Sequence, residues 1–366
     1  MILMNDFKAE PAALRDAMLG AVRRVMDSGW YVLGEEGLSF EQRWAAACGV
    51  AHGVGVGNGM EAIEIALRAL DIGPGDEVIT TPMTAFATVL AILHAGASPV
   101  LADIDPATAL LSLESVRRCI SPRTKALLLV HLYGQVRHMT EWVELCRENK
   151  IELVEDCAQS HLAAQDGMAA GSFGRAGAYS FYPTKNLGSL GDAGMIVTSD
   201  ESLARYAERW RNYGQSRRYH HPQLGSNSRL DEMQAAILCE RLRWLDEFTQ
   251  RRRRVAMSYR EGINNAQVEQ MATPVEEAAH VYHLYVVTCK QRDALISHLA
   301  GCGVQSLIHY PIPVHQQEPC LEMRRDPLGL RDSERHAATC LSLPCHPQMS
   351  DQQIDLVIEA VNRFNC

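Results

Sequence analysis

The chain has 366 residues, of which 47% are hydrophobic, and carries a formal net charge of −9. This length and composition allow a large buried core and, at roughly 100 to 200 residues per domain, predict two domains. The negative charge argues against a broad surface for nucleic acid or an anionic membrane, but a local cationic pocket for a phosphorylated ligand stays open. The dense basic run at residues 251–254 is expected on a solvated helix face.

The cysteines and the amino terminus predict a cytoplasmic protein. Eleven cysteines are scattered over the sequence without a CxxC pair and without the His/Cys spacing of a metal site. Such a pattern is typical of reduced thiols. The amino terminus lacks the apolar core of a signal peptide, and about 18 apolar residues never run unbroken. We therefore expect no membrane partner and no bound metal.

From about residue 52 to residue 156, short apolar runs such as "HGVGVG" and "KALLLVHL" alternate with amphipathic stretches. This alternation predicts a largely parallel α/β sheet. In the first amphipathic stretch, Ile63, Leu67 and Leu70 recur at helical spacing. Gly73 and Pro74 then end the predicted helix.

After residue 156 the pattern changes to closely spaced strands, "GAYSFY" and "GMIVTSD", followed by one long helix from about residue 230 through "MQAAILCERLRWLDEF". The remainder contains a strand candidate, "YHLYVVTC", and two helix candidates, "RDALISHLAGCG" and "DQQIDLVIEAVNRF". We expect a large domain of residues 1–245 and a smaller α+β domain of residues 246–366.

The apolar strand "IELVED" ends in Glu155 and Asp156, and Gln159 follows three positions later. Ligands of open α/β sheets gather at the carboxyl ends of strands, which favours a functional carboxylate here. The alternative is an aspartate that caps the next helix. The strand alone does not decide between these roles.

The stretch "SFYPTKNLGSLGDAG" places Lys185 five residues after Ser180 and directly before a glycine-rich run. A loop lysine is ordinarily solvated, but partial desolvation lowers its pKa and lets the free amine attack a carbonyl. Pyridoxal phosphate offers such a carbonyl, and its ring nitrogen requires an acidic partner. Asp156 is a candidate for that partner.

The stretch "GVGVGNGMEAIEIAL" combines a strand, a Gly57-Asn58-Gly59 turn and the start of a helix. Backbone N–H groups at such a helix start can bind a phosphate. The glycine spacing does not fit the dinucleotide fingerprint, and no GK[ST] follows. A plain strand-to-helix turn is an equal alternative.

Together, the glycine turn, the strand-terminal DxxQ and the SFxxxK closely resemble the DegT/DnrJ/EryC1/StrS family of sugar aminotransferases, which are pyridoxal-phosphate enzymes of fold type I. Further stretches match its pattern, including "GPGDEVITTP", "VHLYGQ", "GSNSRLDEMQAAIL" and "HYPIPVHQQ". The resemblance spans nearly the whole chain. It implies an α/β fold in which helices sandwich a mostly parallel central sheet, with a smaller α+β domain at the carboxyl end.

The resemblance implies that Lys185 forms a Schiff base with pyridoxal 5′-phosphate and that Asp156 pairs with the ring nitrogen. It places Gln159 near the ring hydroxyl. The phosphate is expected on Ser180 and on the backbone of the helix start, at Gly59 and Met60.

The resemblance also implies that Asn227 reaches the phosphate of the other subunit, so that a homodimer shares its active sites. The chain departs from the family at two positions. Met60 stands where the family usually has Thr or Ser. In "TPMTAFAT" the aromatic residue is displaced by Ala85, so Phe86 is expected either to stack on the cofactor or to fill the core.

Substrate contacts are expected from two further segments. The loop "NYGQSRRYHH" has a composition suited to a diphosphate, although a solvated loop is the alternative. The stretch "HYPIPVHQQ" resembles the family stretch that lines the mouth of the active site. For Arg229, the alternative to substrate binding is a structural role in which it ties a loop to a nearby carboxylate. The substrate-binding candidates are Tyr213, Arg217, Arg218, His220, Arg229, His309, Tyr310 and His315.

Because Lys185 stands where sugar-dehydrating members carry histidine, the resemblance implies transamination. The loop around Lys185 is similar to that of members that aminate C3 of a nucleotide-linked keto sugar. We expect L-glutamate as the amino donor and a dTDP- or UDP-linked 3-keto sugar as the acceptor. The alternatives are a 4-keto sugar, a cyclic keto-polyol, a UDP-linked keto-uronic acid, or a non-catalytic regulator that binds the cofactor.

Overall fold

The computed structural model of the protein describes residues 1–365. Within this range, no helix combines the length and the apolar character that crossing a bilayer requires. The α-helices are α1 Ala12–Ser28, α2 Glu35–Cys48, α3 Gly59–Ala69, α4 Phe86–Ala95, α5 Leu113–Cys119, α6 Met139–Asn149, α7 Glu201–Trp210, α8 Glu232–Leu242, α9 Leu245–Gly262, α10 Arg292–Gly301, α11 Arg331–Thr339 and α12 Asp351–Arg363.

The strands form one large sheet, a three-stranded sheet and a short hairpin. Their bounds are β1 His52–Val56, β2 Glu77–Thr80, β3 Ser98–Leu101, β4 Thr124–Val130, β5 Glu152–Asp156, β6 Ala164–Gln165, β7 Met168–Ala169, β8 Ala176–Ser180, β9 Gly194–Thr198, β10 Glu269–Gln270, β11 Tyr285–Thr288, β12 Arg324–Arg325 and β13 Cys340–Leu343. The large sheet has the order β1-β9-β8-β5-β4-β2-β3-β12. Only the pairs β1–β9 and β8–β9 are antiparallel, so the prediction of a mostly parallel sheet is confirmed.

Helices cover both faces of the large sheet, and β4 shows why. Its residues alternate between two buried clusters: Leu127 and Leu129 belong to one, whereas Ala126 and Leu128 belong to the other. Because successive side chains of a strand point to opposite faces, a strand with an unbroken apolar run, here residues 126–130, must be buried on both faces. The predicted sandwich of helices around the sheet is confirmed.

The prediction of one long helix after residue 230 is wrong, because the chain forms two helices, α8 and α9, in this region. Trp244 adopts φ −101° and ψ −9° between α8 and α9. Its N–H donates to the carbonyl of Arg241 at 3.0 Å instead of continuing the i to i−4 ladder. The apolar pattern runs through the junction, so periodicity does not reveal this break.

The basic run at residues 251–254 lies on α9, but the prediction of a solvated face is wrong for one member. Arg254 is exposed, whereas Arg252 is only 5% exposed. Helical periodicity turns the second arginine of the run inward against the carboxyl-terminal region.

The carboxyl-terminal part of the chain builds the antiparallel sheet β10-β11-β13. A buried cluster joins this sheet to α9, α10 and α12 through residues such as Tyr259, Val287, Leu299 and Val357. The same region also sends β12 back to pair with β3 of the large sheet. The division of the chain at residue 245 stays a prediction.

Candidate active site

Asp156 ends β5 in the interior of the large sheet, and its side chain is buried. The Thr88 hydroxyl donates to its Oδ2 at 2.8 Å, and the Ala158 N–H donates to its Oδ1 at 3.1 Å. Among the described residues, no cation forms an ion pair with Asp156. Its carboxylate therefore has only neutral donors and can accept a protonated nitrogen of a ligand.

The neighbouring carboxylate has a different task. Glu155 points to the opposite face of the strand and is fully buried. It accepts hydrogen bonds from the N–H groups of Gly171, Phe173 and Gly174 at 2.8 to 2.9 Å, and its Oε2 lies 2.9 Å from Nε2 of His131. Glu155 thus fixes the loop before β8, which leaves Asp156 as the carboxylate of the site.

Lys185 lies on the loop after β8, half-buried, and burial lowers the pKa of its amine to about 8. The charge of Asp156 opposes this shift, so the two groups act on each other. The Lys185 amine makes no hydrogen bond or ion pair with another described residue. Because the free base is well populated near this pKa, the amine can act as a nucleophile.

The turn between β1 and α3 fits the predicted phosphate cradle. Asn58 caps α3, since its Oδ1 accepts a hydrogen bond from the Glu61 N–H at 3.0 Å. A Cβ on Gly59 would lie 2.7 Å from the Cβ of Ser180, so only glycine allows this close approach. The free N–H groups of the helix start therefore lie beside the Ser180 hydroxyl, which is a favourable place for a phosphate.

The departure at Met60 does not remove these backbone donors. Its side chain is half-buried and packs against the apolar cluster under α3. A hydroxyl is missing from this position, but the N–H of Met60 still belongs to the first turn of the helix.

His161 is a site residue that the sequence analysis did not single out. Its Nε2 lies 3.0 Å from the carbonyl of Ser180, and its Nδ1 accepts a hydrogen bond from the Leu187 N–H at 2.9 Å. Burial, followed by the charge of Lys185, lowers its pKa to about 3. A neutral imidazole therefore fixes both ends of the loop that carries Lys185. The available signal was a histidine two residues after the DxxQ motif.

Gln159 joins Asp156 to the carboxyl-terminal region. Its Oε1 accepts a hydrogen bond from the Tyr133 N–H at 2.6 Å, and its Nε2 donates to the Tyr310 hydroxyl at 3.2 Å. Burial and then the charge of Asp156 raise the pKa of Tyr310 to about 12. The structure thus places Gln159 and Tyr310 beside the carboxylate, while the contact of Gln159 with a ring hydroxyl stays a prediction.

His309 also belongs to this group. The Tyr133 hydroxyl donates to its carbonyl at 2.6 Å, and its Nδ1 lies 2.8 Å from Oγ of Ser342. Burial and the charge of Lys185 lower the pKa of His309 to about 4. His309 therefore faces the reactive amine as a neutral group.

Phe86 and His315 are placed less directly. Phe86 lines a cavity of about 160 Å³ together with Thr84 and Tyr310, and it also packs against a buried cluster. Both predicted alternatives for Phe86 stay open. His315 is buried and lies 3.0 Å from Glu334 through its Nε2, while its Nδ1 makes no hydrogen bond within the described chain.

The loop at residues 213–221 lies on the surface, and the hydrogen bonds of its side chains stay within the loop. Tyr213 is 48% exposed, and Arg217 and Arg218 are exposed as well. Nδ1 of His220 lies 2.9 Å from Oγ of Ser216. Within one chain, no described contact joins these side chains to Lys185, so their role in diphosphate binding stays a prediction.

Arg229 and Asn227 follow this loop. Nη1 of Arg229 donates to Oδ1 of Asn212 at 3.2 Å, and its guanidinium lies 5.3 Å from the ring centroid of Tyr213. Arg229 thus has contacts of the structural kind that one of its two predicted roles describes. Its partners are the amide of Asn212 and the ring of Tyr213 rather than a carboxylate. Asn227 is exposed, which leaves its side chain available to a second subunit.

Comparison with known proteins gives the class to which this fold and site belong. The model of the DegT/DnrJ/EryC1/StrS aminotransferase family matches residues 13–362, and the chain belongs to this family. The resemblance predicted from the motifs is confirmed, and with it the fold class and the aminotransferase assignment.

Two curated relatives are nucleotide-sugar enzymes by name. A dTDP-3-amino-3,6-dideoxy-alpha-D-galactopyranose transaminase from Aneurinibacillus thermoaerophilus is 44% identical over 344 residues, which cover 94% of each chain. A UDP-N-acetyl-3-dehydro-alpha-D-glucosamine 3-aminotransferase from Acidithiobacillus ferrooxidans is 40% identical over 362 residues, covering 99% of this chain and 97% of the relative.

A solved structure shares the fold over almost its full length. The crystal structure of DesV from S. venezuelae in complex with a ketimine intermediate superposes with a TM-score of 0.95. It is 41% identical in sequence, and the match covers 99% of this chain and 97% of DesV.

Proposed function

We propose that the protein transfers the amino group of L-glutamate to the C3 keto group of a nucleotide-linked sugar, with pyridoxal 5′-phosphate as cofactor. The observation that carries this proposal is the lowered pKa of Lys185 next to the unpaired carboxylate of Asp156. A nucleophilic amine and a buried acid at one strand edge are the two groups that this chemistry needs.

The residues present fit the cofactor. Lys185 would hold its aldehyde carbon, Asp156 its ring nitrogen, and the Gly59–Ser180 contact its phosphate, because a Cβ at Gly59 would fill that space. When bound, the cofactor supplies a carbonyl for amine exchange and a ring that withdraws electrons from the reacting carbon.

The chain's own residues then divide the work. Lys185, as a free amine, accepts the proton from the reacting carbon of the donor and later returns a proton to the carbon of the acceptor. A pKa of about 8 suits both tasks, since base and acid forms are populated near neutral pH. The carboxylate of Asp156 holds the proton on the ring nitrogen, and Thr88 fixes its orientation.

The acceptor class follows from the relatives and from the surface loop. The two relatives described above are named for chemistry at C3: one for a dTDP-linked 3-amino sugar, the other for 3-amination of a UDP-linked 3-dehydro sugar. The exposed cations Arg217 and Arg218 suit a diphosphate. Asn227 is exposed, in keeping with a homodimer in which each subunit completes the site of the other.

Two half-reactions test the proposal. Glutamate added to the cofactor-loaded protein should shift the absorption spectrum from the lysine-bound to the aminated form of the cofactor and release 2-oxoglutarate. The aminated protein is then offered dTDP- and UDP-linked 3-keto and 4-keto sugars, a UDP-keto-uronic acid and a cyclic keto-polyol. Turnover only with a 4-keto sugar or a keto-polyol would refute the C3 assignment, and no response to glutamate would favour the regulator.

A further inference from the structure

A small cavity separates the amino-terminal segment of the protein from α9, and Lys185 lies in its wall. Its volume is about 20 Å³, which is room for one water-sized group such as a single carboxylate oxygen. Residues 5–7 and Glu10 line it together with Arg241 and Arg252. The cavity thus adjoins the reactive lysine and is bordered by two arginines.

Arg252 is buried, and only part of its guanidinium is in use. Its Nη1 donates to the carbonyls of Tyr282 and His283 at 3.3 Å each, and also to that of Cys345. The Nε and Nη2 atoms of Arg252 make no hydrogen bond with a described residue. Neither of these atoms is fully enclosed by the protein. Two donor nitrogens of Arg252 are therefore without a partner in the described chain and partly accessible.

The charge of Arg252 is also uncompensated. Burial disfavours its charged form and lowers its pKa, and no described carboxylate forms an ion pair with it. The other arginine of the cavity is already paired, since Arg241 lies 2.7 Å from Glu10. The carboxylate of Asp6 caps the short 3-10 helix at Phe7–Ala9.

A buried cation without a partner is costly unless a ligand supplies the anion. The guanidinium plane is suited to a carboxylate, because adjacent N–H groups match the two oxygens. Lys185 and Arg252 both line the cavity. In keeping with this, burial and then the charges of Lys185 and Arg252 lower the pKa of His283.

We propose that Arg252 binds a carboxylate of the amino donor and so positions its amino group near Lys185. This inference rests on the proposed function, because it requires an amino acid as the donor. A uronic-acid acceptor would carry the same chemical group, so the source of the carboxylate must be tested separately.

The test uses three variants of the full-length protein. R252M removes the donors and keeps most of the side-chain length, and R252K keeps the charge without the planar fork. R253M is the matched control: Arg253 lies next in the same helix and also donates to backbone carbonyls, those of His280 and Ala278, but it does not line the cavity.

Single-turnover mixing with glutamate should show a Kd that rises about 10- to 100-fold in R252M, the usual loss for hydrogen bonds to a charged group. R252K should lie between R252M and the parent, and R253M should keep the parent Kd. Cofactor affinity and the visible spectrum should be unchanged in all three variants.

A second readout does not depend on turnover. Glutarate, a dicarboxylate without an amino group, should raise the Tm of the cofactor-loaded parent and of R253M, but not that of R252M. An unchanged glutamate Kd in R252M would overturn the inference, as would loss of cofactor binding in both Arg252 variants, which would make the residue structural. A defect of R252M confined to a uronic-acid acceptor would overturn the donor assignment. Glutarate binding without glutamate turnover in the parent would refute the proposed function alone.

Discussion

The hydroxyl of Thr88 donates to Oδ2 of Asp156 at 2.8 Å, and the hydroxyl of Thr84 lies 2.7 Å from that of Thr88. Thr88, in the first turn of α4, therefore contacts the strand-end carboxylate, and Thr84, in the segment just before this helix, contacts Thr88 in turn. All three side chains are buried, so water cannot replace the bond if it is removed.

We expect T88V to weaken the site more than T88S. Valine keeps the shape but leaves Oδ2 of Asp156 without its side-chain donor, which should cost about 1 to 3 kcal/mol of unfolding free energy. The glutamate half-reaction should slow by roughly 10-fold or more, because the carboxylate of Asp156 is then less well oriented. Serine keeps the hydroxyl and should restore the rate even if the lost methyl group lowers Tm. Equal rates in T88V and the parent would contradict the role of Thr88.

The pKa of Lys185 predicts how the cofactor-free protein captures pyridoxal phosphate. Because only the free amine reacts, the capture rate should rise with pH and level off above a midpoint near pH 8 rather than near 10.5. Asp156 raises this pKa through its charge, so D156N should move the midpoint to lower pH. Stopped-flow absorbance measures both profiles, and a midpoint that moves upward in D156N would show that the two groups do not interact as described.

Lys185 itself should be indispensable. K185A removes the amine, so the visible band of the lysine-bound cofactor should be absent and turnover should fall to background. K185R keeps a cation but cannot form the Schiff base, and it should be equally inactive while matching the parent in Tm more closely. Full activity of either variant would refute the assignment of Lys185.

Gly59 should tolerate no side chain. In G59A the new Cβ would meet the Cβ of Ser180 at 2.7 Å, so the helix start must move away from the strand. We expect a loss of about 1 to 3 kcal/mol in unfolding free energy and weaker binding of the cofactor phosphate. G20A is the control, because a Cβ at Gly20 in α1 meets no atom within 4 Å. G20A should be neutral or stabilising. Equal unfolding free energies and equal cofactor affinities in G59A and G20A would contradict the phosphate site at the Gly59–Ser180 contact.

Much of this architecture could be predicted from local patterns. Unbroken apolar runs revealed the doubly covered sheet, and the position of Asp156 at a strand end indicated the site edge. The contacts that complete the site join residues that are far apart in the sequence, so local patterns do not predict them. Thr88 lies 68 residues from Asp156, and His161 meets Ser180 across 19 residues. No periodicity encodes such pairs. The sequence pattern even places Arg252 on a solvated face, because a basic run carries no sign of which member turns inward.

The proposed homodimer leads to a test of Asn227 that needs no dimer structure. If Asn227 completes the site of the other subunit, N227A and K185A should each be impaired on their own, whereas their mixture should regain activity. A mixed dimer then contains one site with both Lys185 and Asn227 and one site that lacks both. Random exchange of equal amounts should restore about a quarter of the parent activity, since half of the dimers are mixed and half of their sites are native.

The control for this experiment combines each variant with the double variant K185A/N227A. If the sites are shared, mixing the double variant with either single variant gives no native site, so activity should not recover. Subunit exchange is followed with differently tagged chains, which shows that mixed dimers form. Recovery that fails despite exchange would place Asn227 in the site of its own subunit or outside the site altogether.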